Sequence, residues 1–164
     1  MSEIQSTRNW FAETGQIPLD ALPNVRQTTF YLGMQVEELA EKLKLVFGHS
    51  ELVQRLEGLA TALKEGLHNS DSFVGDVLSN PATAKEFLDG DGDMLWVTIG
   101  AAAAAGSDLY GAFNDGISYA NWAKKFPDGT FHRHPVSGKV LKPDGWVAAD
   151  LTPFLHPTLR GEPA

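Results

Sequence analysis

The chain has 164 residues, enough for one domain with a sizeable core. It has no cysteine, which excludes a disulfide framework, thiolate zinc sites, iron–sulfur clusters and a Cys nucleophile. Its net charge of −8 argues against sequence-independent nucleic-acid binding, and the acid is unevenly spread: residues 1–119 carry 7 Lys/Arg against 17 Asp/Glu, residues 120–164 carry 6 against 4.

In chain order, the opening MSEIQSTRNW has neither a basic n-region nor an apolar h-region. Ser2 to Gly15 reads as a weak helix with Trp10 and Phe11 as core anchors. Pro18 and Pro23 break the chain into a linker. From about Asn24 to Phe47, Phe30, Met34, Leu39, Leu43 and Val46 recur at the helical period. Gly48 stops that helix. Ser50 caps the next, with Val53, Leu56, Leu59, Ala60 and Leu63 on one face. Gly66 to Ser72 reads as a turn. Asn80-Pro81 is a helix start, and the helix is expected to run on through Ala101–Ala105. Gly90 and Gly92 weaken it, each by on the order of 1 kcal/mol against Ala. A further helix covers roughly Asp108 to Lys125. Beyond Phe126-Pro127, turns at Asp128-Gly129, Ser137-Gly138 and Asp144-Gly145 separate short apolar pieces.

The expectation is a single all-α domain over 1–164, a four- to five-helix bundle. Its helical core covers about 24–125 and a loop-rich tail about 126–155. The longest apolar stretch, Met94 to Ala105, is interrupted by Thr98 and Gly100 and is too short to span a bilayer. No membrane partner and a cytoplasmic location follow as expectations, the host cytoplasm for a viral chain.

Two acidic constellations stand out. Glu37, Glu38 and Glu41 crowd one turn of the long second helix, and Glu38 and Glu41 share a face. If the later helix is continuous, Glu86, Asp89 and Asp93 share another face, with Asp91 pointing elsewhere, and Met94-Leu95-Trp96-Val97 follows as core. The first set is compatible with a solvated acidic surface, whereas acids abutting an apolar run, as in the second, are poor candidates for ordinary surface decoration. If the two converged, their all-oxygen donors would suit Mg²⁺ or Mn²⁺. An EF-hand loop is rejected, because Met94 and Gly100 stand where its Gly and closing acid belong. A di-iron bundle needs two Glu-x-x-His pairs, and only Glu65-x-x-His68 is present. Asn121-x-x-Lys124 reads as a helix end with cations favourable to its dipole. Lys139 and Lys142 among turns can hold phosphate oxygens as point charges, or simply be solvated. No GxGxxG, Walker A, GxSxG or HExxH occurs.

In this order the pieces resemble the MazG-like all-α nucleoside triphosphate pyrophosphohydrolases, in particular their phage and bacterial single-domain branch. The residues that carry the resemblance are Glu37-Glu38-x-x-Glu41, Asp93 before Met94-Leu95-Trp96, Asn121-x-x-Lys124, Asp128-Gly129 and Gly138-Lys139-Val140-Leu141-Lys142-Pro143. The match spans roughly Arg8 to Leu151. One departure concerns the second acid pair: the family's Glu-x-x-Asp would place an acid at Gly90. Either Asp89 with Asp93 or Glu86 with Asp89 takes its place, and the first is favoured.

The resemblance implies hydrolysis of a nucleoside triphosphate between the α and β phosphates, giving a monophosphate and pyrophosphate, with two or three Mg²⁺ or Mn²⁺ ions. It implies Glu38, Glu41, Asp89 and Asp93 as metal ligands, with Glu37 orienting or deprotonating the water and contacting metal. Asn121, Lys124, Lys139 and Lys142 would hold the substrate's phosphates. A purine substrate, dGTP or GTP, and a homodimer or homotetramer are the further expectations. The alternatives are a catalytically silent helical module that binds a nucleotide or a partner protein, and a phosphoribosyl-ATP pyrophosphohydrolase.

Overall fold

A computed structural model describes residues 3–18, 23–135 and 139–161. The architecture is all-α. The helices are α1 (Glu3–Glu13), α2 (Val25–Phe47), α3 (Glu51–Glu65), α4 (Ser70–Ser79) and α5 (Pro81–Ala104). A last helical stretch over 109–122 comprises α6 (Leu109–Gly111), a π-wound segment (Ala112–Ser118) and α7 (Tyr119–Trp122). Two 3₁₀ turns, Thr152–Phe154 and Pro157–Arg160, follow in the tail. The chain divides into two compact units. One is Leu22–Gly92; the other combines Met1–Ala21 with Asp93–Ala164. The division falls inside α5, between Gly92 and Asp93.

In the first unit, Asn24 caps α2 by accepting from the Gln27 amide at 3.0 Å, and Gly48 ends it at φ 60°. Ser50 caps α3, which Gly66 ends in the left-handed region. The cross-contacts Lys44–Glu57 and Glu37–Lys64 run in opposite senses along the two chains, so α2 and α3 are antiparallel. Gly33 fixes how closely they approach. A Cβ there would lie 2.9 Å from both the Ala60 carbonyl oxygen and the Lys64 amide nitrogen. Gly33 meets Ala60 and Lys64 at the line of contact, and the buried residues of the two helices are mostly small: Thr29, Gly33 and Ala40 on α2, Val53 and Ala60 on α3. Of the large residues expected to form the core of α2, Phe30, Leu39 and Val46 are exposed, as is Leu59 of α3. At so short a separation large side chains are forced to the flanks of the seam.

The expected turn after Gly66 is shorter than the sequence suggested. His68 and Asn69 both take positive φ (56° and 58°), so the chain reverses in two residues and α4 already starts at Ser70. Arg26 ties this corner together. Its guanidinium donates to the carbonyls of Leu63 (3.1 Å) and Lys64 and to Asp71 Oδ1 (3.3 Å), joining α2 to the end of α3 and the start of α4.

Asn80 opens α5 as expected, its side chain accepting from the Ala82 amide at 2.9 Å. The helix is continuous through Gly90, Gly92 and the alanines to Ala104. No residue of α5 is buried. Met94, Leu95, Trp96 and Val97, expected as core, are exposed, Trp96 by 79%.

In the second unit, Asp108 caps the 109–122 stretch, its carboxylate accepting from the Gly111 amide at 2.9 Å. Gly106, Gly111 and Gly116 recur every five residues and form a seat for the tail. A Cβ would lie 3.1 Å from His156 at Gly106, 2.8 Å from the Phe154 ring at Gly111 and 2.8 Å from Leu151 Cδ2 at Gly116. The Asp108 amide donates to the Phe154 carbonyl at 2.8 Å and fixes the register. Upstream, Arg133 and Val140 form an isolated antiparallel bridge, supported by His134 N–H to Lys139 O and Leu141 N–H to His132 O, both 2.8 Å. Gly138 of the expected tail motif, and the Ser137-Gly138 turn, lie outside the described residues.

Candidate functional site

The end of the 109–122 helix leaves carbonyls outside the regular intrahelical ladder, of which Asn121 O also accepts from the Lys124 amide at 3.2 Å. Two indoles meet them. Trp10 Nε1 of α1 donates to the Asn121 carbonyl at 3.0 Å, and Trp146 Nε1 of the tail donates to the Ala120 carbonyl at 2.8 Å. Trp10, expected as a core anchor together with Phe11, is half-buried, as is Phe11. It packs edge-on to Phe11 and Phe131, with ring centroids 5.3 and 6.0 Å away. Lys125 to Glu13 (2.8 Å) and Arg133 to the Gly15 carbonyl (2.9 Å) hold α1 against this helix end and the tail.

Between the two indoles stands Lys124. Asn121 and Lys124 lie one turn apart, and the ammonium donates to Asn121 Oδ1 at 2.6 Å. It sits 5.9 Å from the Trp10 ring centroid and 5.7 Å from that of Trp146. Lys142 lies over the same Trp146 ring at 4.0 Å. The Lys124 amine is shifted below its ordinary pKa, first by burial, then by the charges of Lys142 and Lys139. Asn121, Lys124, Lys139 and Lys142 therefore occupy one locality, although 18 positions separate Asn121 from Lys139 in sequence. Like-charged ammonium groups around polarisable rings form a ready receptor for a multiply charged anion.

Beside it the 126–132 turn is internally braced. Asp128 accepts from the Thr130 amide and hydroxyl, both at 2.9 Å, and lies 2.7 Å from His132 Nε2. These bonds, the Thr130 amide foremost, lower its pKa to about 2. His132 stacks on Phe126 at 3.9 Å. Asp128-Gly129 thus shapes the loop.

The carboxylates are arranged differently. Glu37 is half-buried and bound to Lys64 Nζ at 2.6 Å, while Glu38 and Glu41 are exposed. On α5 the acid that reaches α2 is Asp91, which accepts from Gln35 Nε2 at 3.2 Å. Glu86, Asp89 and Asp93 fall on the opposite side of α5, since a helix of about 3.6 residues per turn sets them roughly half a turn from Asp91. Among the described residues no three Asp, Glu or His side chains come close enough to share a metal ion. The donor chemistry of Glu38 and Glu41 suits a hard divalent cation.

The Asp91 contact and the capping role of the two indoles were not visible in the sequence, where Trp10, Phe11, Trp122, Phe126 and Trp146 stand equally as rings on which a base could stack. Asp91 lies on the wrong face of the acidic period, and Trp10 acts across 111 positions. No family model, no curated protein and no solved structure matches this chain.

Proposed function

We propose that the chain is a metal-dependent hydrolase that cleaves a nucleoside triphosphate at the α–β bond into a monophosphate and pyrophosphate. The observation that carries this reading is the grouping of Lys124 and Lys142 about the Trp146 ring beside Asn121, with Lys139 near enough for its charge to act on Lys124. Three ammonium groups match the charge of a polyphosphate, and phosphoryl transfer asks a protein chiefly for positioning and charge neutralisation. Asn121 orients Lys124, and the lysines hold the outer phosphates. The half-buried indoles of Trp10 and Trp146 beside them keep part of their surface open for a base to stack on, with a purine nucleotide, dGTP or GTP, as the preferred substrate.

Glu38, Glu41, Asp89 and Asp93 would hold Mg²⁺ or Mn²⁺, which when bound neutralises phosphate charge and acidifies water. Glu37, oriented by Lys64, would align the attacking water. A homodimer or homotetramer is part of the proposal. It is supported by the uncovered apolar length of α5 and by the alanines of 101–105, which allow close helix approach.

The test is product analysis with a panel of NTPs and dNTPs and Mg²⁺ or Mn²⁺. Equal release of pyrophosphate and monophosphate is expected; orthophosphate with a diphosphate would overturn the cleavage position. The second reading is an anion-binding module without chemistry, favoured by the separation of the carboxylates within one chain. It predicts pyrophosphate or nucleotide binding with no hydrolysis under any divalent cation.

A further inference from the structure

We propose that Lys124 is an imine-forming amine that takes phosphate-bearing aldehydes, with their phosphate held by Lys139 and Lys142. Such a site needs an amine fixed in place, an anchor for the rest of the molecule, and a reason for this lysine to outcompete others. The first is geometric: Lys124 Nζ is pinned to Asn121 Oδ1 at 2.6 Å between the rings of Trp10 and Trp146. The second is Lys142, 4.0 Å above the same Trp146 ring, together with the neighbouring Lys139. For the third, burial and the two like charges favour the neutral, nucleophilic form of Lys124. Lys44, Lys64 and Lys125 are instead engaged in ion pairs with Glu57, Glu37 and Glu13.

The step balances without an oxidant or reductant. The amine lone pair adds to the carbonyl carbon and a proton passes from nitrogen to oxygen. The resulting carbinolamine then loses its hydroxyl as water while the C=N bond forms. Amine plus aldehyde gives imine plus water. The phosphate's negative charge offsets the lysine cluster while it delivers the aldehyde. The inference shares the anion site with the proposed function but requires neither metal nor hydrolysis.

Pyridoxal 5′-phosphate is the probe. The imine is followed by its absorbance, fixed by borohydride, which delivers hydride to the imine carbon, and located by peptide mapping. Saturable labelling of Lys124 is expected, suppressed by inorganic pyrophosphate. Pyridoxal without the phosphate should label at least roughly tenfold less efficiently, the scale of a lost charge-assisted contact. Lys124→Arg retains the charge but cannot form the imine. It should lose the saturable label while far-UV circular dichroism and the urea midpoint stay at their wild-type values, which separates loss of the amine from loss of the fold. Labelling spread over the surface lysines, or indifferent to pyrophosphate, would overturn the inference. Indiscriminate labelling by a protein that still releases pyrophosphate from NTPs would leave the hydrolase reading standing. Specific labelling of a protein that hydrolyses no NTP would do the reverse.

Discussion

The Trp10 indole N–H donates to the Asn121 carbonyl at 3.0 Å, and this bond ties α1 to the helix end that carries Lys124. Trp146 does the same for Ala120. Trp10→Phe keeps a ring but removes the donor. It should lower stability by about 0.5–1.5 kcal/mol, the net value of one hydrogen bond, with more lost if the carbonyl is left dry. The double variant with Trp146→Phe should additionally weaken pyrophosphate binding, because both walls around Lys124 lose their anchor. Urea unfolding and calorimetry check the two parts. Unchanged pyrophosphate affinity in a folded double variant would count against the indoles as supports of the site.

Gly33 makes a second prediction about packing. Gly33→Ala places a methyl against backbone atoms of Ala60 and Lys64, which cannot rotate away. The α2–α3 seam must open, at about 1–3 kcal/mol. Gly58, inside α3, is the contrast, because a methyl there would meet nothing within 4 Å. Gly58→Ala should stabilise by roughly 0.5–1 kcal/mol through helix propensity alone. Opposite signs in urea midpoints are expected; equal effects would contradict the close approach.

The helix boundaries were legible because caps are local chemistry. Asn24, Ser50, Asn80 and Gly48 each act within four residues of their own position. The core was much less legible. Periodicity selects large apolar residues, whereas the buried positions of α2 are Thr29, Gly33 and Ala40, and at the α2–α3 approach of Gly33 to Ala60 size matters more than hydropathy. The same holds for Gly106, Gly111 and Gly116, which seat His156, Phe154 and Leu151 because they carry no side chain. The phosphate-binding candidates Asn121, Lys124, Lys139 and Lys142 were legible as residues. Their grouping depends on long-range contacts of Trp10 and Trp146 that no local pattern encodes.

The Asp128 turn gives a pH prediction. Its folded pKa of about 2 lies below the ordinary 3.8, so the contribution of this turn to stability is present above about pH 4 and is lost as pH falls through 2. A carboxyl titration by NMR should find its midpoint near 2. Thr130→Val removes the hydroxyl but leaves the backbone amide, the largest cause. The midpoint should therefore rise only part of the way towards the ordinary value. A midpoint already at the ordinary value in the wild-type protein would contradict the bonded turn.

The acid helix and the lysine cluster should fail differently. Glu38→Gln removes one negative charge and one ligand while keeping the shape, so Mn²⁺ affinity and turnover should both collapse while the fold survives. Lys139→Ala should leave Mn²⁺ affinity intact and lower kcat/KM by ~10–100-fold, the effect of one charge-assisted phosphate contact. Calorimetric Mn²⁺ titration of both variants beside NTP turnover makes the comparison. If Glu38→Gln binds metal as tightly as wild type and stays active, Glu37, Glu38 and Glu41 are a solvated face.

The proposed assembly rests on the second half of α5. From Met94 to Ala104 it carries no charge, and a stretch apolar all round is ordinarily covered, yet Leu95, Trp96, Val97 and Ile99 are each at least half exposed. A second copy would bury them, and in a closed symmetric assembly the same patch serves both partners. Light scattering should give a dimer or tetramer at tens of micromolar. Leu95→Glu combined with Trp96→Glu would place two charges in that contact. The charges should shift the protein to monomer while far-UV circular dichroism retains the helices, because neither side chain is buried within its own chain. If the variant loses its helices instead, Leu95 and Trp96 serve the fold of the single chain. If the wild-type protein is a monomer with full activity, α5 is not an interface between copies.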